Sequence, residues 1–308
     1  MRTIRIISTA LLLAAFATGC NKEENNYIEI FADNFADNNG KVLSDPYNIL
    51  AASEWIENEP VNLNNYLYFI GVDSINSHLL HLLIDEAGEI VRPLGEEMCA
   101  LYPGDSFDGN DVEVSNSGDY REIVLRRLVV RLRDDNRQEM AFPMAAKSAP
   151  GAPRLYFCHL SGGIRLTLHN NSGSPIDIAS LKIVAQSENQ VTNLDTTIDG
   201  ITFTSRWAVQ GPTVPSGPVG TNDDIVNAKY TSEMNFDLRN SSNDNYATID
   251  DNGDLMFCIP ITINSVKSLV VTGYSVEGSE IFHVGNSFGQ EVSVERNRMY
   301  TVPTINVN

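Results

Sequence analysis

The sequence predicts an all-β protein with two β-sandwich domains in tandem, and two observations carry this. Short runs of alternating apolar and polar residues recur throughout; they are rich in β-branched and aromatic side chains, and Gly, Asn, Asp and Pro punctuate them. The chain has 308 residues, which suits two domains better than one.

In the first half the expected strands are Tyr27–Phe31, Val42–Leu43, Pro60–Ile70, Leu79–Ile84 and Glu89–Arg92, the last two joined through Asp85-Glu86-Ala87-Gly88. Glu122–Leu132 is ambiguous: Leu125, Leu128, Val129 and Leu132 share a helical face, but Ile123, Val124, Val129 and Val130 favour a strand, and strand is the reading adopted. Ala145–Pro153, with two Pro and a Gly and no apolar period, is the expected domain junction. In the second half, Leu166–His169 and Ile176–Ile178 flank a turn cluster at Asn170–Pro175, and Leu181–Val184 and Ile201–Thr204 follow. Asp251–Asp254 reads as a tight hairpin between Ala247–Ile249 and Leu255–Ile263. A second hairpin joins Ser268–Tyr274 to Ile281–Val284, and Gln290–Val294 and Met299–Val307 alternate to the end. The expected division is a leader at 1–19, a tether at 20–26, an N-terminal domain at 27–148 and a C-terminal domain at 153–308.

The leader carries the most specific signal. Arg2 and Arg5 precede an apolar run from Ile6 to Ala17, closed by Ala17-Thr18-Gly19-Cys20. The run is shorter than the ~20 apolar residues that span a bilayer. Small residues ahead of a single Cys resemble the lipobox of bacterial lipoproteins, which makes Cys20 the expected lipidation site and the first residue of the mature chain. Asn21-Lys22-Glu23-Glu24 resembles the Lys-then-acidic signal of surface-exposed lipoproteins of Bacteroidota. Together these imply a lipid anchor on the outer face of an outer membrane.

Without residues 1–19, which hold two Arg, the chain keeps 19 Lys+Arg against 40 Asp+Glu, a net charge of −21. Nucleic acid is disfavoured as a partner, because phosphate contacts need clustered cations. Besides Cys20 there are Cys99, Cys158 and Cys258. Cys158 and Cys258 sit in apolar runs and are expected as buried thiols, with a Cys158–Cys258 bridge as the alternative.

Catalytic patterns are not found. The five His form no His-Glu-x-x-His motif, and there is no Cys-x-x-Cys, Gly-x-Ser-x-Gly or phosphate loop, so neither catalytic residues nor a metal or cofactor is expected. Asp250, Asn252 and Asp254 have calcium-loop spacing, but Leu255 stands where such a loop needs Gly, and a turn is the better reading. Asp105–Asp111 is likewise read as a loop. Trp55 and Trp207 are read as core aromatics, with a sugar-stacking platform as the alternative. Arg121–Arg137 carries six Arg and three acids; it is read as a solvated strand face, with a docking face for an acidic neighbour as the alternative.

Several stretches in order resemble the fimbrillin family, in particular Mfa-like subunits of type V pili. Trp55–Asn64 (Trp-Ile-Glu-Asn-Glu-Pro-Val-Asn-Leu-Asn) resembles the family's early Trp and acidic strand, and Cys99-Ala100-Leu101-Tyr102-Pro103 resembles a strand end. Phe142–Ala146 with Leu155–Leu168 resembles the domain junction and the strand opening the second domain, and Met299–Val302 fits the end. The resemblance implies two transthyretin-like β-sandwiches and a structural or adhesive subunit assembled with other fimbrial subunits by strand exchange, with a host or bacterial surface ligand as a further partner. In that mechanism a protease removes the first strand, here Tyr27, Ile28, Glu29, Ile30 and Phe31, and another subunit's segment fills the groove. The family's protease cuts after Arg, yet no Arg lies between Arg5 and Arg92, and Lys41 is the only basic residue between Lys22 and Arg92. Lys41 and Arg92 are therefore the candidate cleavage points. A chain left uncleaved, as a lipid-held anchor or a glycan-binding surface lipoprotein, is the alternative.

Overall fold

The computed structural model describes residues 27–32, 36–37, 55–75, 78–117, 120–133, 138–186, 201–206, 233–261, 265–293 and 298–308. Every regular element among them is a strand, as the alternating pattern predicts. The first half contains β1 (Glu29–Ala32), β2 (Ala36–Asp37), β3 (Pro60–Leu63), β4 (Tyr66–Ile75), β5 (His78–Ile84), β6 (Met98–Tyr102), β7 (Asp111–Ser117), β8 (Tyr120–Leu132), β9 (Gln138–Glu139) and β10 (Met144–Ser148). The second half begins with β11 (Arg154–His159), β12 (Gly162–Asn170), β13 (Ile176–Ile178), β14 (Ser180–Gln186), β15 (Ile201–Arg206) and β16 (Glu233–Arg239). It ends with β17 (Ala247–Ile249), β18 (Asp254–Ile261), β19 (Ser265–Tyr274), β20 (Glu280–Ser293), β21 (Arg298–Thr301) and β22 (Ile305–Val307).

Seven strands close on themselves in the order β1-β11-β10-β6-β3-β4-β5. A second sheet runs β18-β12-β21-β2, with β22 also on β12. A third runs β15-β8-β16-β14-β19-β20, with β7 and β9 also on β8, and β13 pairs β17. The long strand β8 is shared by both halves. One edge pairs β7 and β9; the other pairs β15 antiparallel and β16 parallel, through Asn235↔Arg127 to Arg239↔Arg131. One buried apolar cluster includes Phe157 of β11, Phe236 of β16 and Phe257 of β18, so the core runs through both halves.

Local chemistry explains where the structure departs from the expected elements. Pro60–Ile70 is two strands, because Asn64 and Asn65 adopt φ of 50° and 72° and turn β3 back on β4. Paired positive φ at the centre of a two-residue turn suits Asn and matches the twist of the strands it joins. Glu89–Arg92 does not form a strand: its pairing is a single bridge, Ile84↔Ile90, and Val91 bonds Leu83 and Ile28 instead. Ala145–Ser148 of the expected junction belongs to β10, with Met144 and Ala146 buried, and Ala149–Pro153 supplies the turn into β11.

Asp251–Asp254 is a turn, but the strands it joins do not pair with each other. β17 pairs β13 while β18 pairs β12, so two chain segments run side by side through a corner. Buried Asn170 fixes that corner: its Nδ2 donates to the carbonyls of Ser174, Ile249 and Asp250 at 2.8, 3.0 and 3.1 Å. The β19–β20 hairpin forms as expected, although β20 runs on through Gln290–Ser293.

Gln138 ties β9 to β18. Its Nε2 donates to the Cys258 carbonyl at 2.9 Å, and its Oε1 accepts from the Cys258 amide at 2.7 Å, all buried. Truncating a side chain that serves two buried backbone groups leaves both unpaired. Gln138→Ala is expected to destabilise the chain by roughly 3 kcal/mol, read as a lower urea midpoint at constant m-value.

Candidate functional site

The N-terminal strand β1 lies between two neighbours far away in sequence. On one side it runs parallel to β11, with Glu29 opposite Arg154 and Phe31 opposite Tyr156. On the other it pairs antiparallel with β5 at Glu29↔Leu82. The Ile28 amide donates to Val91 at 3.0 Å, the Leu83 amide to the Ile28 carbonyl at 3.2 Å, and the Glu29 amide to Pro153 at 2.9 Å. The predicted segment Tyr27–Phe31 is thus the strand, shifted to Glu29–Ala32 in its regular part.

Period-two alternation divides its side chains. Ile28 and Ile30 point inward and are 0% and 2% exposed. Burying each contributes about 1.5–3 kcal/mol. The outer face carries Glu29, 3.4 Å from the Arg154 guanidinium, and Phe31, stacked on Tyr156 with ring centroids 5.0 Å apart. The Arg154 guanidinium also lies 5.9 Å from the Phe31 ring centroid. The inward isoleucines and the backbone bonds hold the strand, while the outer pairs set its register.

A few residues further on, β2 runs parallel to β21, with Ala36 opposite Arg298 and Asp37 opposite Met299. The same N-terminal stretch therefore contributes to the closed sheet and to the second sheet. Arg92 is exposed and follows β5. A cut there would separate β1, β3, β4 and β5 from β6, β10 and β11, whereas a cut at Lys41 would separate, among the described strands, only β1 and β2. Lys41, Cys20, Val42–Leu43 and Trp207 lie outside the described residues. Trp55 is buried, with its ring edge-on to Tyr102 and Phe157 at 5.1 and 5.2 Å. Cys99, Cys158 and Cys258 are buried and form no disulfide, and burial pushes the Cys258 thiol up to about 11 although Arg165 lies nearby.

Among the described side chains, Arg126, Arg127 and Arg131 of β8 and Arg133 just after it are each paired with an acid of the chain. Arg126 pairs Glu113, and Arg127 pairs Asp237 at 3.6 Å. Arg131 takes Asp108 at 2.5 Å and Glu139 at 2.9 Å, Arg133 takes Glu139 at 2.8 Å, and Arg239 of β16 takes Asp108 at 2.9 Å. The loop residue Asp108 thereby joins strands of both halves. Gly109 makes the approach feasible: at φ +87°, an added Cβ would sit 2.6 Å from Arg239.

Beside this network is a cavity of about 310 Å³ lined by Ile56, Glu59, Phe107, Arg131, Glu139 and Met140, among others. Glu59 is 8% exposed and accepts a 2.7 Å hydrogen bond from the Tyr102 hydroxyl. Burial pushes its carboxyl up to about 7, against the Tyr102 and Ile56 hydrogen bonds, with Glu139 and Asp108 adding to the rise. The acidic residues before Pro60 are visible in the sequence, but only the fold shows that one of them is buried.

Because the folded-state value lies above the unfolded value of 4.5, the folded chain holds this proton more tightly. The stabilisation is fully present below about pH 4.5 and is lost as pH rises through about 7. The loss amounts to roughly 3 kcal/mol. Denaturation midpoints followed across that window are expected to fall in the wild-type chain, and Glu59→Gln is expected to remove this component of the fall.

No protein-family profile and no curated protein matches the sequence. Among solved structures the chain is similar to a candidate cell adhesion protein of Bacteroides ovatus, at 11% identity and a TM-score of 0.41 over 91% of this chain and 94% of that one. It is similar to another candidate cell adhesion protein, from Bacteroides fragilis, at 12% identity and a TM-score of 0.34 over 91% and 93% of the two chains. A fimbrial protein of Bacteroides ovatus aligns at 8% identity and a TM-score of 0.28, over 92% of this chain and 50% of that one. These structural neighbours are thus candidate adhesion proteins and fimbrial proteins of Bacteroides.

Proposed function

We propose that the chain is a structural and adhesive subunit of a surface fimbrium, built from two transthyretin-like sandwiches, exported as a lipoprotein through Cys20 and assembled by strand exchange. The observation that carries this reading is the placement of β1. It is a short N-terminal strand set between β5 and β11, with two inward isoleucines and backbone bonds on both sides. Its departure would expose two unpaired sheet edges and the two apolar sockets that Ile28 and Ile30 fill. Unpaired edges capture extended segments by backbone hydrogen bonding, and sockets at alternate positions select side chains. Such a groove would accept a strand from another subunit.

Lys41 fits the release step better than Arg92, because a cut at Lys41 separates only β1 and β2 among the described strands. The lipobox accounts for the route to the surface, with the acidic tether spacing the fold from the membrane. The role is binding and assembly, without a catalytic step. A glycan-binding lipoprotein that never polymerises is the competing reading; burial of Trp55 removes one of the two tryptophans that would favour it.

Mass spectrometry of the protein recovered from its native cell surface tests the proposal. The expected result is a chain starting after Lys41, present in ladders that resist mild denaturant. A lipid-modified Cys20 start with monomer alone would overturn the polymerising role in favour of the competing reading. Loss of the lipid without any ladder would overturn it as well.

A further inference from the structure

The cavity beside Glu59 has an uneven charge distribution. Glu57, Glu59, Asp108 and Glu139 line it, with Arg131 on its wall. Asp108 is neutralised by Arg131 and Arg239, and Glu139 by Arg131 and Arg133. Glu59 has no cation among the described residues; its carboxyl meets the Tyr102 hydroxyl and the Ile56 amide. The remaining walls are the amides Asn58 and Asn110, the latter bonded to the backbone of Phe107 and Val129, and an apolar stretch of Ile56 at the mouth, half-buried Phe107 and Met140, and buried Val129 and Ala141. A buried carboxyl without a counter-ion, beside a cavity with one apolar stretch of wall, is the complement of a cation on a hydrocarbon stem.

We propose that this cavity binds a primary alkylammonium group, an ammonium head on an apolar stem of the length found in a lysine side chain. The stem would lie against Ile56, Phe107 and Met140, and the head would reach the Glu59 carboxylate. The volume is near the small end of ligand pockets, about 300–1,000 Å³, which suits a single side chain or a small amine. A chelated divalent cation fits poorly, since it needs several free oxygen ligands, and no cluster of three or more metal-ligating side chains occurs among the described residues. An anion would meet the uncompensated carboxylate.

The groups facing Glu59 give the proposal a distinct pH signature. Tyr102 approaches from β6, Asp108 from the loop before β7, Arg131 from β8 and Glu139 from β9, with Glu57 on Glu59's own segment. Tyr102 is held well above the usual phenol value, chiefly by burial, so it stays neutral. Burial alone would raise Asp108, but the Arg239 and Arg131 hydrogen bonds outweigh it and keep the carboxylate ionised. Glu59, at about 7, changes charge near neutrality. Ammonium binding should therefore weaken about tenfold between pH 8 and pH 6 as Glu59 takes up its proton.

The test is an NMR titration of the full chain with n-pentylamine, with acetyl-lysine methylamide, and with pentanol as the neutral counterpart. The expected result is saturable binding of the amines at about pH 8 that falls about tenfold by about pH 6, with no comparable binding of pentanol. Glu59→Gln is expected to abolish amine binding, while Glu57→Gln, at the exposed mouth, retains it. If both amines bind, a lysine on a partner polypeptide is an admissible source; if pentylamine alone binds, the site takes free amines. No amine binding, equal binding of pentanol, or amine binding independent of pH in the wild-type chain would each overturn the proposal. The wild-type pH series decides the matter even if Glu59→Gln does not fold.

Discussion

The closed sheet depends on one backbone constraint: both β5 and β11 need a partner on the side where they face each other, and β1 is the strand that serves both. A sheet edge left open exposes a row of amides and carbonyls, and this one would also uncover the sockets of Ile28 and Ile30. The strand is short and lies near the N-terminal side of its fold, so few covalent connections tie it to the sheet it completes. Its inner face supplies apolar burial, and its outer face fixes register through Glu29 with Arg154 and Phe31 with Tyr156. Any segment replacing it would have to satisfy the same alternation, because a shift by one residue would turn its charged positions inward.

The halves are joined just as firmly by β8. This strand pairs with β7 and β9 on one side and with β15 and β16 on the other, so hydrogen bonds of one sheet cross from the first half to the second. Asp108 adds charged bonds to Arg131 and Arg239 across the same seam, and Gln138 adds two buried bonds to Cys258. A load carried along the chain would pass through backbone pairing as well as through a linker.

How much of this the sequence reveals follows from which interactions are local. The alternation of Ile28 and Ile30 with Glu29 and Phe31 marks β1 as a half-buried strand, but nothing nearby in sequence names β11 and β5 as its partners. Asn64-Asn65 is a legible turn signal; it is obscured because apolar residues on both sides read as one run from Pro60 to Ile70. The turn at Asp251–Asp254 is equally legible, yet its flanking strands pair elsewhere because Asn170 fixes a corner with distant carbonyls. The arginines of β8 stand out, but their partners Glu113, Asp108, Glu139 and Asp237 are scattered through an acidic chain. Glu59 is the hardest case: many acids are exposed, and only the packing of Trp55 and Tyr102 shows that this one is not.

The most direct test of the account supplies β1 from outside the chain. A chain beginning after Lys41 would be refolded with and without a synthetic peptide of residues 27–37, and cooperative urea unfolding would be measured in each case. The account predicts that the shortened chain is weakened or unfolded alone, and that the peptide binds it and raises the unfolding midpoint in a concentration-dependent way. A shortened chain as stable as the full chain, or one that the peptide neither binds nor restores, would contradict the claim that β1 is a replaceable strand on which the closed sheet depends.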